Sequence, residues 1–106
     1  RLLGPKTVEL MTCNHLPPAL LPIAFEGTEP MLGMGFGLGF GVMLDTAQTG
    51  IMGSVGDFGW GGYAETYFWI DPQEDLIAIL MTQYLPSQTY PIRKEFRTAV
   101  YQALEV

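Results

Sequence analysis

The sequence predicts an α+β fold in which an antiparallel sheet is flanked by an N-terminal and a C-terminal helix. Residues 34–44 alternate glycine with large apolar residues, which matches the two-residue period of an extended chain. Residues 63–70 and 76–84 are rich in aromatic, β-branched and aliphatic side chains and also favour strands. Residues 51–59 are punctuated by glycine and are expected to be extended. Strands joined by short loops are antiparallel neighbours, because a parallel pair needs a long crossover.

Helices are predicted at both ends of the chain. The first lies in the segment GPKTVELMTCNHL, where Pro5 suits the first helical position and Asn14, followed by two prolines, ends the helix. Residues 16–32 contain four prolines and are predicted to form a loop. The last helix is predicted from Pro91 to about Leu104, because apolar residues recur there every three or four positions.

Composition excludes several classes of function. The chain has 106 residues, 48% of them hydrophobic and 15% charged, with a formal net charge of −6, and this length suits one small domain. Binding to nucleic acid depends on clustered basic residues, and only Arg93, Lys94 and Arg97 cluster here. We interpret these three as the solvated face of the last helix, and expect no nucleic-acid partner. No apolar run reaches the roughly 18–20 residues of a membrane span.

The carboxylates in and beside the predicted sheet are expected to face solvent. Asp71, Glu74 and Asp75 lie in a turn between two predicted strands, and we interpret them as a solvated loop tip. Glu65 lies in the middle of a predicted strand among aromatic residues. Alternation allows Glu65 to face solvent, which we prefer to the alternative of a catalytic carboxylate.

No metal and no cofactor are expected. Cys13 and His15 are two potential zinc ligands at a cramped spacing, whereas a structural zinc site needs four ligands. The glycine-rich run at 33–41 fits neither the dinucleotide fingerprint nor the phosphate loop, and no predicted helix follows it to hold an anion.

The sequence contains no convincing nucleophile. Neither Ser54 nor Ser87 has a lysine three residues later, and neither lies in a G-x-S-x-G motif. A serine hydrolase needs a nucleophile with its base within hydrogen-bond reach. The chain alone is therefore predicted to be catalytically inactive.

The segment GDFGWGGYAETYFWIDPQEDLIAILMTQ, residues 56–83, carries a family resemblance. It resembles the C-terminal part of the serine β-lactamase-like hydrolases, which comprise the class C β-lactamases, related carboxylesterases and DD-peptidases. The helix before it, the glycine-rich strand and the last helix resemble elements of the same family. The resemblance implies a partial β-lactamase/transpeptidase-like fold. It also implies that residues 1–106 are a single, incomplete C-terminal segment of such a domain.

The resemblance also implies roles for individual residues. Trp60, Gly61 and Gly62 stand where the family has a Lys-Thr-Gly triplet or a variant of it, and would bind substrate. The two glycines would let a substrate carbonyl approach the strand edge. The backbone N–H of Tyr63 would be one of two oxyanion-hole donors. Because Trp60 replaces the lysine, a small ester substrate is favoured over a β-lactam. A surface aromatic beside a glycine bulge is the alternative for Trp60.

The chain lacks the catalytic motifs of the family that it resembles. The Ser-x-x-Lys and tyrosine motifs of the family lie upstream of this region and are absent here. The resemblance thus implies a fragment that is inactive alone. Together with the missing N-terminal portion it would act on a small-molecule ester or amide, and by itself it would self-associate. The alternative is a non-catalytic α+β binding or scaffolding module whose exposed aromatics hold a partner: Trp60, Tyr63, Tyr67 and Trp69.

The resemblance also offers a reason for the alternating glycines. Close packing would exclude every second Cβ atom along residues 34–44, and the bare face would receive a helix or rings such as Phe58 or Trp69. The opposite face would place Phe36, Leu38 and Phe40 in another layer.

Overall fold

The computed structural model describes residues 1–104, which form a five-stranded sheet with helices before and after it. The helices are α1 (Pro5–Thr12), α2 (Thr46–Thr49) and α3 (Ile92–Ala103), with a short 3₁₀ turn at Pro18–Leu20. The strands are β1 (Met34–Phe36), β2 (Gly41–Met43), β3 (Phe58–Gly61), β4 (Tyr67–Asp71) and β5 (Leu76–Leu80).

All neighbouring strands are antiparallel, and their order across the sheet is β1-β2-β3-β4-β5. Each strand therefore pairs with the next one along the chain, as short connections require. Trp69 at the centre of β4 lies opposite Gly59 on one side and Ala78 on the other. The predicted α+β class, with an antiparallel sheet between an N-terminal and a C-terminal helix, is confirmed.

The glycine-rich run forms a hairpin, so the prediction of one strand over 34–44 is wrong. The chain reverses between β1 and β2, where the N–H of Gly37 donates to the carbonyl of Phe40 at 2.8 Å. Gly39 supports the reversal with a φ of +125°, which side chains rarely adopt. Leu38, expected in a packed layer, is instead exposed at the hairpin tip.

Two of the alternating glycines allow the end of α1 to approach the hairpin. A Cβ atom on Gly35 would meet the side chain of Asn14, and one on Gly37 would meet the carbonyl oxygen of Met11. Asn14 uses the space to accept the N–H of Phe36 at 3.0 Å. The end of α1 and the residues after it thus lie against Gly35 and Gly37, whereas the ring of Trp60 lies against Gly41.

The strand predicted at 63–70 begins later than expected. Residues 62–66 form the turn between β3 and β4, closed by a hydrogen bond from the N–H of Gly62 to the carbonyl of Thr66 at 2.7 Å. The residues around the glycine pair thus lie at the end of a hairpin and not within one long strand.

The core lies between the sheet and α3, around a tryptophan. Trp69 is 0% exposed, and its ring packs edge-on against Phe96 with centroids 5.7 Å apart. The indole N–H donates to the hydroxyl of Tyr101 at 2.9 Å, and this hydroxyl donates to Asp71 at 2.7 Å. Ser54 donates to the same carboxylate oxygen at 2.7 Å. A buried carboxylate needs such donors. The two hydrogen bonds of the Tyr101 hydroxyl join α3 to β4.

The acidic turn is only partly solvated. Glu74 and Asp75 are exposed, as expected, but Asp71 is 0% exposed and the interpretation of it as part of a solvated tip is wrong. Its second oxygen caps the turn by accepting the N–H groups of Gln73 and Glu74.

The far edge of the sheet is apolar and open. Within residues 1–104, β5 pairs only with β4, and Ile77, Ile79 and Met81 are more than half exposed. An open apolar edge of this kind favours association with further strands or helices. None of the helices described here is long and apolar enough to cross a membrane.

We expect Tyr101 to lower the free energy of unfolding of the chain as the pH rises in the alkaline range. Burial, and the hydrogen bond to Asp71, raise the pKa of the Tyr101 hydroxyl above its ordinary value of 10.0. Above about pH 10 the unfolded chain therefore loses this proton while the folded chain keeps it, and the free energy of unfolding falls as pH rises. In urea unfolding followed by tryptophan fluorescence at several pH values, Tyr101→Phe should flatten this decline.

Tyr63→Phe is the matched control, because the Tyr63 side chain is 87% exposed and the decline should persist in this variant. Identical pH profiles for Tyr101→Phe and the unchanged chain would contradict the assignment.

Candidate functional site

A cleft of about 670 Å³ lies beside the N-terminal end of α3. The 62–66 turn and the end of β3 form one wall, and the loop before α3 forms another. The structure places all four residues predicted for the site on the first wall: Trp60, Gly61, Gly62 and Tyr63.

Trp60 forms an apolar side of the cleft. β3 extends past β2, because their pairing ends at Gly41 and Gly59, so Trp60 lies at an open margin of the sheet. Its indole packs edge-on against Phe36 and Phe25, with ring centroids 5.3 and 6.2 Å away. Aromatic pairs with this geometry fix the ring orientation beyond what burial alone provides.

The two glycines of the triplet make room for side chains of the protein itself. A Cβ atom on Gly61 would meet the guanidinium of Arg93, and one on Gly62 would meet the hydroxyl of Thr66. The sequence suggested that the bare backbone admits a substrate, but the fold already uses this space. A side chain at either position would have to displace Arg93 or Thr66, independently of any ligand.

Tyr63 follows the glycines in the turn. Its side chain extends into solvent, and within residues 1–104 its backbone N–H donates to no acceptor. The neighbouring N–H groups of Gly62 and Glu65 are both bonded inside the turn, to Thr66 and Gly62. Among the turn residues that line the cleft, Tyr63 therefore carries the free backbone donor, directly after the glycine pair.

Glu65 is buried in this turn, so the expectation that it lies mid-strand and faces solvent is wrong. It is 3% exposed and has a φ of +82°, a conformation that costs a residue other than glycine of the order of 1–3 kcal/mol. One carboxylate oxygen accepts the N–H of Gln88, and the other lies 3.5 Å from Nε of Arg93.

Arg93 connects α3 to the same turn. Its Nη2 donates to the carbonyl oxygens of Gly62 and Thr66, at 2.9 and 3.3 Å. These are the two carbonyls that flank the turn, so one guanidinium holds both ends. Arg93 is therefore not part of a solvated helix face.

Arg97 forms the floor of the cleft and is only 2% exposed. It donates to both carboxylate oxygens of Asp57, each at 3.0 Å, and to the hydroxyl of Tyr67 at 2.8 Å. Its guanidinium also lies 4.5 Å from the ring centroid of Trp69. Of the three clustered basic residues, Lys94 alone is exposed as predicted.

The charges inside the cleft cancel. Arg97 is paired with Asp57 and Arg93 with Glu65, while Lys94 lies at the exposed rim. The remaining lining is largely apolar or aromatic. A neutral, apolar group fits this interior better than an anion, since no buried cation is left unpaired among the lining residues.

The sequence pattern does not single out Asp57, and it predicts that Glu65, Arg93 and Arg97 face solvent. The usable signal was the spacing of the two arginines, which is four residues and places them on one side of α3. Of the four aromatics expected to be exposed in a binding module, Tyr63 is 87% exposed, Trp60 and Tyr67 are half-buried, and Trp69 is fully buried.

Comparison with known proteins agrees with the fold. A sequence model of the family described as "Beta-lactamase" matches residues 19–102. The chain belongs to the beta-lactamase family.

Two relatives come from Mycobacterium tuberculosis, "Uncharacterized protein MT1414" of strain CDC 1551 / Oshkosh and "Protein Rv1367c" of strain ATCC 25618 / H37Rv. Each is 34% identical over 89 residues, which covers 81% of this chain and 22% of the relative. The chain thus spans about a fifth of the length of these relatives.

We expect the Asp57→Asn substitution to destabilise the fold by about 3–5 kcal/mol, because it leaves the buried Arg97 charge without its counter-ion. Urea unfolding measures this loss. Asp75→Asn is the matched control, since the same chemical change at an exposed carboxylate should shift the free energy of unfolding by no more than about 0.5 kcal/mol. Equal shifts in the two variants would show that the Asp57 pair does not anchor α3.

Proposed function

We propose that this chain supplies one wall of a serine hydrolase active site and one donor of its oxyanion hole. The observation that carries the proposal is the free backbone N–H of Tyr63, which lies directly after the glycine pair on the wall of the cleft. An oxyanion hole needs donors that are fixed in place and not already bonded within the protein. Of the turn residues that line the cleft, Gly62 and Glu65 have bonded N–H groups, so Tyr63 is the donor that this wall offers.

The nucleophile, in this proposal, belongs to a portion of polypeptide that precedes residue 1. The sequence has no Ser-x-x-Lys motif, and the chain matches only 22% of the length of its relatives. The open edge at β5, with exposed Ile77 and Ile79, offers apolar surface for that portion to cover. Residues 1–106 then form the C-terminal segment of a β-lactamase-like domain and are inactive alone.

The substrate class that the cleft favours is a neutral ester. Phe25, Met31, Met34 and Trp60 all line the cleft, and the arginines inside it are neutralised by carboxylates. The serine hydroxyl would attack the ester carbonyl, the alcohol would leave, and water would release the acid from the acyl-enzyme. The Tyr63 N–H would stabilise the negative oxygen that forms in each half of this reaction.

A comparison of two polypeptides tests this function. The 106-residue chain should not hydrolyse p-nitrophenyl butyrate or nitrocefin, because it lacks a nucleophile. A polypeptide extended on its N-terminal side through a Ser-x-x-Lys motif should hydrolyse the ester faster than the β-lactam, and alanine at that serine should abolish turnover. Ester turnover by the 106-residue chain would refute its predicted inactivity, and an inactive extended polypeptide would refute the hydrolase.

Trp60 should determine the preference for acyl chain length. In the extended polypeptide, Trp60→Ala should lower kcat/KM for p-nitrophenyl hexanoate about tenfold more than for the acetate, since removing apolar contact costs about 1–3 kcal/mol. Trp60→Phe is the control and should retain most of the selectivity. Equal losses on acetate and hexanoate would show that the indole does not contact the acyl group.

A further inference from the structure

The turn that presents Tyr63 is fastened from outside at three carbonyls. Arg93 bonds those of Gly62 and Thr66, and the N–H of Tyr84 donates to that of Ala64 at 3.0 Å. Turns of this size usually rely on their own backbone hydrogen bonds and remain mobile. The additional anchors indicate that the position of this turn matters beyond joining β3 to β4.

The bond from Arg93 to Gly62 also orients the next amide. The carbonyl of Gly62 and the N–H of Tyr63 belong to one planar, trans peptide group, in which they point in opposite directions. Once Arg93 holds the Gly62 oxygen at 2.9 Å, the Tyr63 N–H can only point away from this guanidinium. The side chain on α3, together with the N–H of Glu65 that donates to the same oxygen at 3.2 Å, therefore sets the direction of the free donor.

Glu65 in turn holds Arg93. Among residues 1–104, the buried side-chain nitrogen and oxygen atoms without a hydrogen-bond partner are Oε1 of Glu65 and Nε of Arg93, and these two face each other at 3.5 Å. The separation is too long for a hydrogen bond, so the attraction between them is that of opposite charges in a site shielded from water. Together with the positive φ of Glu65, this is a strained arrangement of the kind found at functional sites.

We propose that Glu65 and Arg93 are positioning residues that orient the Tyr63 N–H as an oxyanion donor. This inference rests on the proposed hydrolase function and deepens it. Neither side chain touches the reacting atoms. The donor acts in the transition state, so losing its alignment lowers kcat and leaves KM nearly unchanged.

Kinetics of the extended polypeptide test the proposal with three variants. Glu65→Gln and Arg93→Lys should each lower kcat for p-nitrophenyl butyrate about 10–100-fold and change KM less than twofold. Glu95→Gln, on the exposed side of the same helical turn, should leave both constants unchanged. Unchanged kcat in both site variants, or a loss confined to KM, would overturn the proposal.

Two glycine exchanges separate positioning from simple stability. Glu65→Gly removes the backbone strain, which offsets part of the cost of leaving Arg93 without its partner, so the variant is assayed under conditions where it is folded. A merely structural role then predicts full kcat, whereas positioning predicts reduced kcat. Gly61→Ala places a methyl group against the flexible end of Arg93 and should reproduce the kcat loss of Arg93→Lys. Full activity in Glu65→Gly and Gly61→Ala would refute the pair as a positioning device.

The 106-residue chain allows a test that does not need activity. Backbone ¹⁵N relaxation at Tyr63 should report an order parameter near 0.85 in the unchanged chain and below about 0.6 in Arg93→Lys, with Glu95→Gln unchanged. If the extended polypeptide is inactive but this loosening occurs, the hydrolase proposal fails while the clamp on the turn stands. If Tyr63 stays rigid in Arg93→Lys, the positioning proposal fails whatever the activity.

Discussion

The buried ion pair between Arg97 and Asp57 determines how α3 lies on the sheet. Both side chains are almost fully buried, so any shift of the helix that separates them leaves two uncompensated charges away from water. Arg93 precedes Arg97 by one helical turn on the same side of α3. Fixing Arg97 therefore places Arg93 over the 62–66 turn, and the geometry of the cleft wall follows from a pair formed one turn away.

The sheet was largely predictable from the sequence, because side-chain alternation and β-branched content report directly on extended backbone. The position at which the chain reverses between β1 and β2 could not be predicted from the sequence. Glycine occupies alternate positions on both arms of the β1–β2 hairpin, so parity stays the same across the turn at 37–40 and the run looks like one strand. The positive φ of Gly39 and the approach of the end of α1 to Gly35 distinguish the two arms, and both are visible only in the folded structure.

The charged residues were the hardest to place from sequence, for a definite reason. Sequence patterns assign a side chain to a face, but they do not show what lies opposite that face. Asp57 and Arg97 are 40 residues apart in the chain, so their pairing is invisible to any local pattern. The aromatic neighbours of Glu65 predict a strand, yet the turn that follows the glycine pair brings Glu65 into the interior.

The glycine pair therefore has a different physical meaning from that expected for a bare strand edge. The space left by Gly61 is occupied by Arg93, and this guanidinium is neutralised by Glu65, so the missing Cβ atom creates no cationic pocket. What the wall presents instead is a peptide group held by its carbonyl oxygen, with its N–H left free. In the proposed hydrolase, such a site would recognise developing negative charge on an oxygen through a fixed dipole and not through a buried cation, and this would favour neutral substrates over carboxylates.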